Sequence, residues 1–170
     1  MNEQKKLGIA LAVGVVIVLG GLVWALMRVP SNRPDPAGNI AFDSTLETPS
    51  QGKPDASVVV HLYSDFQCPA CRIAEEPLAK TIEAYKDRVK FVWRDFPLMS
   101  IHPNARNASN AAWCANEQGK FWPFHDLLFM EQDRWASESN PRDRFIDMAR
   151  RFDLNVDQFT SCYNGRKYDN

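Results

Sequence analysis

A cysteine pair at a strand-to-helix junction restricts this chain more than any other feature. Cys68-Pro69-Ala70-Cys71 follows the run SVVVHLYS (57–64) and leads into a helical stretch, 72–86. A β-branched run bounded by polar residues predicts a buried strand. Pro69 suits a first helical turn, where its missing N–H would have no partner in any case. Pro77 falls inside the helical stretch and predicts a kink. VKFVWR (89–94) predicts a second strand. Strand, helix and strand in about 40 residues make a βαβ unit with a parallel strand pair, and the fold class is α/β.

The position of the cysteines sets their chemistry. A helix N-terminus carries partial positive charge and unpaired N–H groups. Both stabilise a thiolate at Cys68, and the thiolate is the attacking species in thiol–disulfide exchange. Cys71, one turn on, is placed to close the disulfide and release a mixed-disulfide partner. A C-x-x-C beside a βαβ pattern is a redox signal. The competing readings are half of a zinc site and a pair of inert cysteines. Structural zinc takes four N or S ligands, commonly from two close pairs. Here there is no second C-x-x-C, and His61, His102 and His125 are scattered. The expectation is therefore no metal and no external cofactor, only the cysteine pair.

Beyond Pro97 the texture turns helical. Residues 102–119 are rich in Ala and Asn, and 121–130 carry Phe, Trp and Leu at helical spacing. Asn140-Pro141 opens another helix that runs to Phe152, and Asn155 or Asp157 starts a last short one. Nothing after Arg94 reads as a strand.

The N-terminal part is of another kind. The 21 residues from Leu7 to Met27 contain no charge. As a helix they would rise about 31 Å, enough for a ~30 Å hydrocarbon core, with Trp24 near one interface. A cleaved signal peptide is the alternative, but its apolar stretch usually runs ~7–15 residues. Residues 1–28 are therefore expected to be an uncleaved, single-pass transmembrane anchor. Lys5 and Lys6 before the span balance Arg28 and Arg33 after it, so the flanking charges barely orient it. The cysteine chemistry favours the domain outside. Residues 29–54 contain Pro30, Pro34, Pro36, Pro49 and Pro54 and read as an extended tether. Ile40, Phe42 and Leu46 interrupt it and mark a piece able to dock on the domain, which is expected to span 55–170.

Composition closes some options. Twenty basic against 21 acidic residues give a net charge of -1, which offers no case for nucleic acid as a partner. Hydrophobic residues make up 45%, enough for a core, so wholesale disorder is excluded.

Residues 57–162 resemble the DsbA-like branch of the thioredoxin superfamily, bacterial thiol–disulfide oxidoreductases that are membrane-anchored or exported. The resemblance is carried by SDFQCPACRIAEEPL (64–78), FVWRDFPL (91–98), HPNARNASNAAWCANEQGKFWPFHDLLF (102–129) and FDLNVDQFTSC (152–162). It implies a thioredoxin-like fold with a helical insertion, Cys68 as nucleophile, Cys71 as resolving cysteine, and Pro69 and Ala70 as residues that tune the potential. It further implies cysteine-containing exported proteins as substrates, a membrane redox partner, and a site on the extracytoplasmic side of the cytoplasmic membrane. In that family a later strand pair and helix, introduced by a cis-proline loop, complete the fold. Here residues 163–170 contain no proline. The expectation is an incomplete thioredoxin domain, lacking the C-terminal strands. An oxidase that introduces disulfides is the leading reading. An isomerase or reductase with the same site, a redox-inactive thioredoxin-like binding module and a small metal-binding protein are the others.

Several residues carry weaker expectations. Cys114 and Cys162 are either a second, structural disulfide or two buried thiols. His61 on a buried strand, His102 at a helix start and His125 among aromatics are expected to pack or cap. Glu75 and Glu76 are expected to face solvent, with proton transfer from Cys71 as the alternative. Phe121, Trp122, Phe124, Leu127 and Leu128 belong to the core. Arg134 and Trp135 fall in a loop that could line a groove. Asn107 begins a glycosylation sequon, but its helical setting argues against use.

Overall fold

The computed structural model describes Gly20, Gly21, Trp24 and residues 48–169. The expected anchor at 7–27 lies outside the described residues except for those first three, as does the tether up to residue 47. Among the described residues, no helix is long and apolar enough to cross a membrane.

The elements are β1 (Ser50–Gly52), β2 (Val58–Ser64), α1 (Pro69–Tyr85), β3 (Val89–Asp95), α2 (Ala105–Asn116), α3 (Phe121–Met130), α4 (Gln132–Trp135), α5 (Arg142–Arg151) and α6 (Val156–Asn164). β2, α1 and β3 form the expected βαβ unit. β2 and β3 run parallel, with Val60 opposite Phe91 and Leu62 opposite Trp93. α1 runs through Pro77 as one element and has Pro69 in its first turn.

A third strand comes from the stretch read as tether. β1 pairs antiparallel with β3, so the order is β1-β3-β2. Two flanking bonds secure it: Trp93 N–H donates to Pro49 O at 2.9 Å, and Lys53 N–H donates to Val89 O at 3.0 Å. Three residues without apolar alternation carry no strand signal of their own, which is why this pairing is invisible locally.

β3 is central, and Phe91, Val92 and Trp93 are buried on it. β2 departs from expectation. It was read as buried, yet Val58 is 53% exposed, and Val59, Val60, His61 and Tyr63 are exposed as well. Among the described residues β2 has a strand neighbour on one side only. The crossover helix gives its faces little cover, since no residue of α1 is buried. A β-branched run reports fitness for a pleated strand; burial depends on neighbours.

The main core instead lies among the helices. Ala108, Ala111, Ala112 and Ala115 line one face of α2, and their small side chains let other elements approach closely. Against them pack Phe124, Leu127 and Leu128 of α3, Phe145 and Met148 of α5, and Phe159 of α6, all essentially inaccessible. Phe66 and Trp93 join this core to the sheet, their rings stacked at 4.9 Å. A disulfide joins Cys114 on α2 to Cys162 on α6, with 5.8 Å between Cα atoms. Asn155 caps α6, its side chain accepting from Gln158 N–H at 3.0 Å. Trp135 is not in an open loop. It sits on the one-turn helix α4, fully buried, and its indole N–H donates to Leu128 O at 2.9 Å.

Gly52 ends β1 in the left-handed region, at φ +86°, and a Cβ there would lie 2.2 Å from Val89 O. Gly119 also has a positive φ of +69°, but a Cβ there meets open space. Gly52→Ala is expected to destabilise by at least about 2 kcal/mol and Gly119→Ala by about 1 kcal/mol. Urea unfolding midpoints of the two variants check that order.

Candidate active site

The loop between β2 and α1 places both cysteines at one helix end. Cys68 occupies the N-cap position with extended backbone, φ -74° and ψ 120°. Its N–H donates to Asp65 O at 3.0 Å, and its carbonyl accepts the first intrahelical bond from Arg72 N–H at 3.1 Å. Both cysteines are free thiols and half-buried. Cys71 packs against the core. Burial pushes the Cys71 thiol up; a backbone hydrogen bond from Asp65 and the Ser64 side chain pull the other way, and Cys68 adds to the rise. Cys71 is therefore held in its thiol form at neutral pH.

Buried polar side chains fix the loop. Asp65 is buried, and its carboxylate accepts from Gln67 N–H at 2.7 Å and Leu98 N–H at 2.9 Å. His102 Nδ1 lies 2.8 Å from the same carboxylate. Phe96 N–H donates to Ser64 O at 2.8 Å. These bonds hold the 96–102 segment beside the cysteine loop, and Phe96, Leu98, Met99 and Ile101 stand exposed on it. Gln67 reaches the other way. Its Oε1 accepts from Asn104 N–H at 2.6 Å and its Nε2 donates to Ala136 O at 2.7 Å. Gln132 of α4 completes the enclosure, donating from Nε2 to Phe66 O at 2.7 Å and to Cys68 O at 3.1 Å.

A second titratable group lies under α1. His125 is 3% exposed and enclosed by the rings of Phe66, Trp93, Phe121, Trp122 and Phe129. Its Nδ1 lies 2.9 Å from Asp126 Oδ1 and its Nε2 3.7 Å from Glu75 Oε2. Glu75 does not face solvent as expected. One turn after Cys71 it lies on the inner side of α1, where burial raises its carboxyl, His125 lowers it and Asp126 raises it. Glu76 is exposed and pairs with Lys80 at 2.7 Å.

The structure thus brings Cys68, Pro69, Ala70 and Cys71 together with Asp65, His102, Gln67 and Gln132. His61 lies on exposed β2 rather than in a buried strand, and the Cys114–Cys162 disulfide joins helices of the insertion. Asp65, Gln67, Asn104 and Gln132 escape sequence reading because their partners lie 33 to 69 residues away in most of these bonds. Among the described residues, no group of three or more His, Cys, Asp or Glu is placed to hold a metal ion.

A family model described as Thioredoxin matches residues 44–170. The chain belongs to the thioredoxin family. It is 42% identical over 109 residues to a Na(+)/H(+) antiporter NhaA 3 of Salinispora tropica, a match covering 64% of this chain and 16% of that protein. It is 29% identical over 144 residues to the probable disulfide bond formation protein D of Bacillus anthracis, covering 81% of this chain and 64% of that one. Its fold matches the crystal structure of a thioredoxin-like oxidoreductase from Silicibacter pomeroyi DSS-3, with a TM-score of 0.56 and 26% identity over 69% of this chain and 63% of that one. The chain therefore spans less than two thirds of the length of each of these proteins.

Two outcomes are expected from the site. In Cys68→Ser, with Cys114–Cys162 left oxidised, Cys71 is expected to react with iodoacetamide at pH 7.5 at least several-fold more slowly in the folded chain than in urea, because burial keeps it protonated. Stopped alkylation with mass spectrometry reads the two rates. For Glu75 the folded carboxyl is raised, so its contribution to stability is complete at low pH and lost as pH rises through the folded value. Glu75→Gln, with His125 and Asp126 unchanged, is therefore expected to gain stability relative to the parent as pH rises from 4 to 7, read as the difference in denaturation midpoints.

Proposed function

We propose that the chain is a thiol–disulfide oxidoreductase working through Cys68 and Cys71. The observation that carries this reading is the pair itself: two thiols at the N-terminus of one helix, one at the N-cap and the other half-buried against the core and held as a thiol. The names of the Silicibacter pomeroyi and Bacillus anthracis relatives support the same chemistry.

The favoured direction is oxidation of substrate. A substrate thiolate attacks Sγ of Cys68 in the Cys68–Cys71 disulfide. The Sγ–Sγ bond breaks, a mixed disulfide forms at Cys68, and Cys71 leaves as a thiolate that takes up a proton. A second substrate thiolate then attacks the substrate sulfur of the mixed disulfide and releases Cys68 as a thiolate. Two electrons pass from substrate to the pair, and a membrane redox partner accepts them to restore the disulfide. Pro69 and Ala70 tune the potential. The substrates are cysteine-containing exported proteins, and the domain faces the extracytoplasmic side, tethered through 7–27. The Cys114–Cys162 disulfide supports an oxidising compartment, where such bonds persist. Isomerase or reductase action uses the same residues with Cys68 entering as thiolate.

The oxidised chain is expected to oxidise a reduced dithiol peptide. Cys68→Ser brings this to background, and Cys71→Ser, offered the same peptide in its disulfide form, accumulates a mixed disulfide at Cys68 visible on a non-reducing gel, because Cys68 breaks the peptide disulfide and Cys71 is absent to resolve it. Equilibration with glutathione separates the directions. A potential well above about -270 mV supports the oxidase, and one at or below it reverses the electron flow.

A further inference from the structure

We propose that Gln132 is a positioning residue for Cys68, whose carboxamide links the helical insertion to the redox pair and favours the dithiol form. The proposal rests on the oxidoreductase reading above and assigns a role to a residue outside the C-x-x-C.

Gln132 lies 64 residues from Cys68 in sequence, on α4 rather than on the βαβ unit. It is 2% exposed. Its single Nε2 donates to two carbonyls of the cysteine loop, Phe66 O and Cys68 O, one on each side of Gln67. Gln67 returns the contact by donating to Ala136 O, one residue past α4. Residues 66–68 and 132–136 are thus joined by three buried or half-buried side-chain bonds. The anchor end is rigid, because Trp135 of α4 is fully buried and bonded to Leu128 O.

The consequence for Cys68 is that both its peptide groups are held. Its N–H is committed to Asp65 O, and its carbonyl accepts from both Arg72 N–H and Gln132. The side chain between them is kept at the N-terminus of α1. These bonds are made with both cysteines as free thiols, and they favour the reduced form by as much as closing the Cys68–Cys71 disulfide weakens them. Stabilising the reduced form makes a cysteine pair more oxidising. Reduction by glutathione converts the Cys68–Cys71 disulfide and two glutathione thiols into two cysteine thiols and one glutathione disulfide. Gln132 pulls that equilibrium toward the cysteine thiols.

Gln132→Met keeps the length and removes the donor. Its equilibrium constant with glutathione is expected to move about tenfold toward the Cys68–Cys71 disulfide, about 30 mV more negative. Gln132→Asn keeps a donor but draws it back, and a smaller shift in the same direction is expected. Asn110 supplies the comparison: it is a buried amide bonded to Tyr163 O at 3.0 Å, outside the cysteine loop. Asn110→Ala is expected to lose stability and leave the equilibrium unchanged. Gln132 variants that unfold cooperatively with constants within twofold of the parent overturn the proposal, as does an equal shift in Asn110→Ala. Where the Gln132 variants do not fold, the nitrogen-15 spectrum of the parent decides. The Gln132 side-chain amide is expected at different positions in the oxidised and reduced chain, and identical positions overturn the proposal. A parent with no redox transition at all would instead remove the oxidoreductase reading on which it rests.

Discussion

The cysteine loop is buried backbone outside regular structure, and the rest of the site follows from how its polar groups are satisfied. Asp65, Phe66 and Gln67 are all buried, so their peptide groups must find partners inside the protein or cost free energy. Asp65 binds Gln67 N–H and pulls in Leu98 and His102; Gln132 takes the carbonyls of Phe66 and Cys68. Each bond is worth about 1 kcal/mol net, but an unmade one in this setting costs about 1–3 kcal/mol. That asymmetry makes the βαβ unit and the helical insertion depend on each other. The insertion supplies polar partners without which the loop could not stay buried.

What the sequence made legible was local. The C-x-x-C between a β-branched run and a helical stretch located the βαβ unit, and α3 appears at the residues its aromatic spacing marks. The last helix start was readable as Asn155 or Asp157, and Asn155 caps it, because a cap is a contact across three residues. What stayed hidden was long-range. β1 has no alternation and exists because β3 offers it an edge. Asp65 and His102 meet across 37 residues, and Gln132 carries no sequence signal of its own until α4 is placed against the loop. The exposure of β2 was illegible for the same reason. Composition reports what a strand would tolerate on its faces, and topology decides what arrives there.

Membership of the thioredoxin family accounts for the order of these elements, while the packing differs from a simple sheet-with-helices picture. Most fully buried side chains belong to α2–α6, and Phe66 and Trp93 connect that mass to the sheet. The Cys114–Cys162 disulfide lies within the helical mass, joining α2 to α6. It braces the layer that carries Gln132 rather than the Cys68–Cys71 pair itself. In chain-entropy terms a closure of this length stabilises by about 4 kcal/mol, and it acts on the frame against which the cysteine loop is held.

The helix that carries the cysteine pair is held unequally along its length. Cys71, Glu75, Leu78 and Ile82 are half-buried and spaced three or four apart, so they form one inner stripe on α1. The far half of that stripe is apolar. The near half holds a thiol and a carboxyl, with Glu75 set against His125 inside a cage of five aromatic rings. An apolar side chain at position 75 would bury more surface and bind the helix more tightly. A carboxyl there pays desolvation, which is why its proton is held more strongly than usual. At the end that carries the cysteines the helix is held by Cys71 packed against the core and by the bonds of Gln132 and the Asp65 carbonyl to the peptide groups of Cys68.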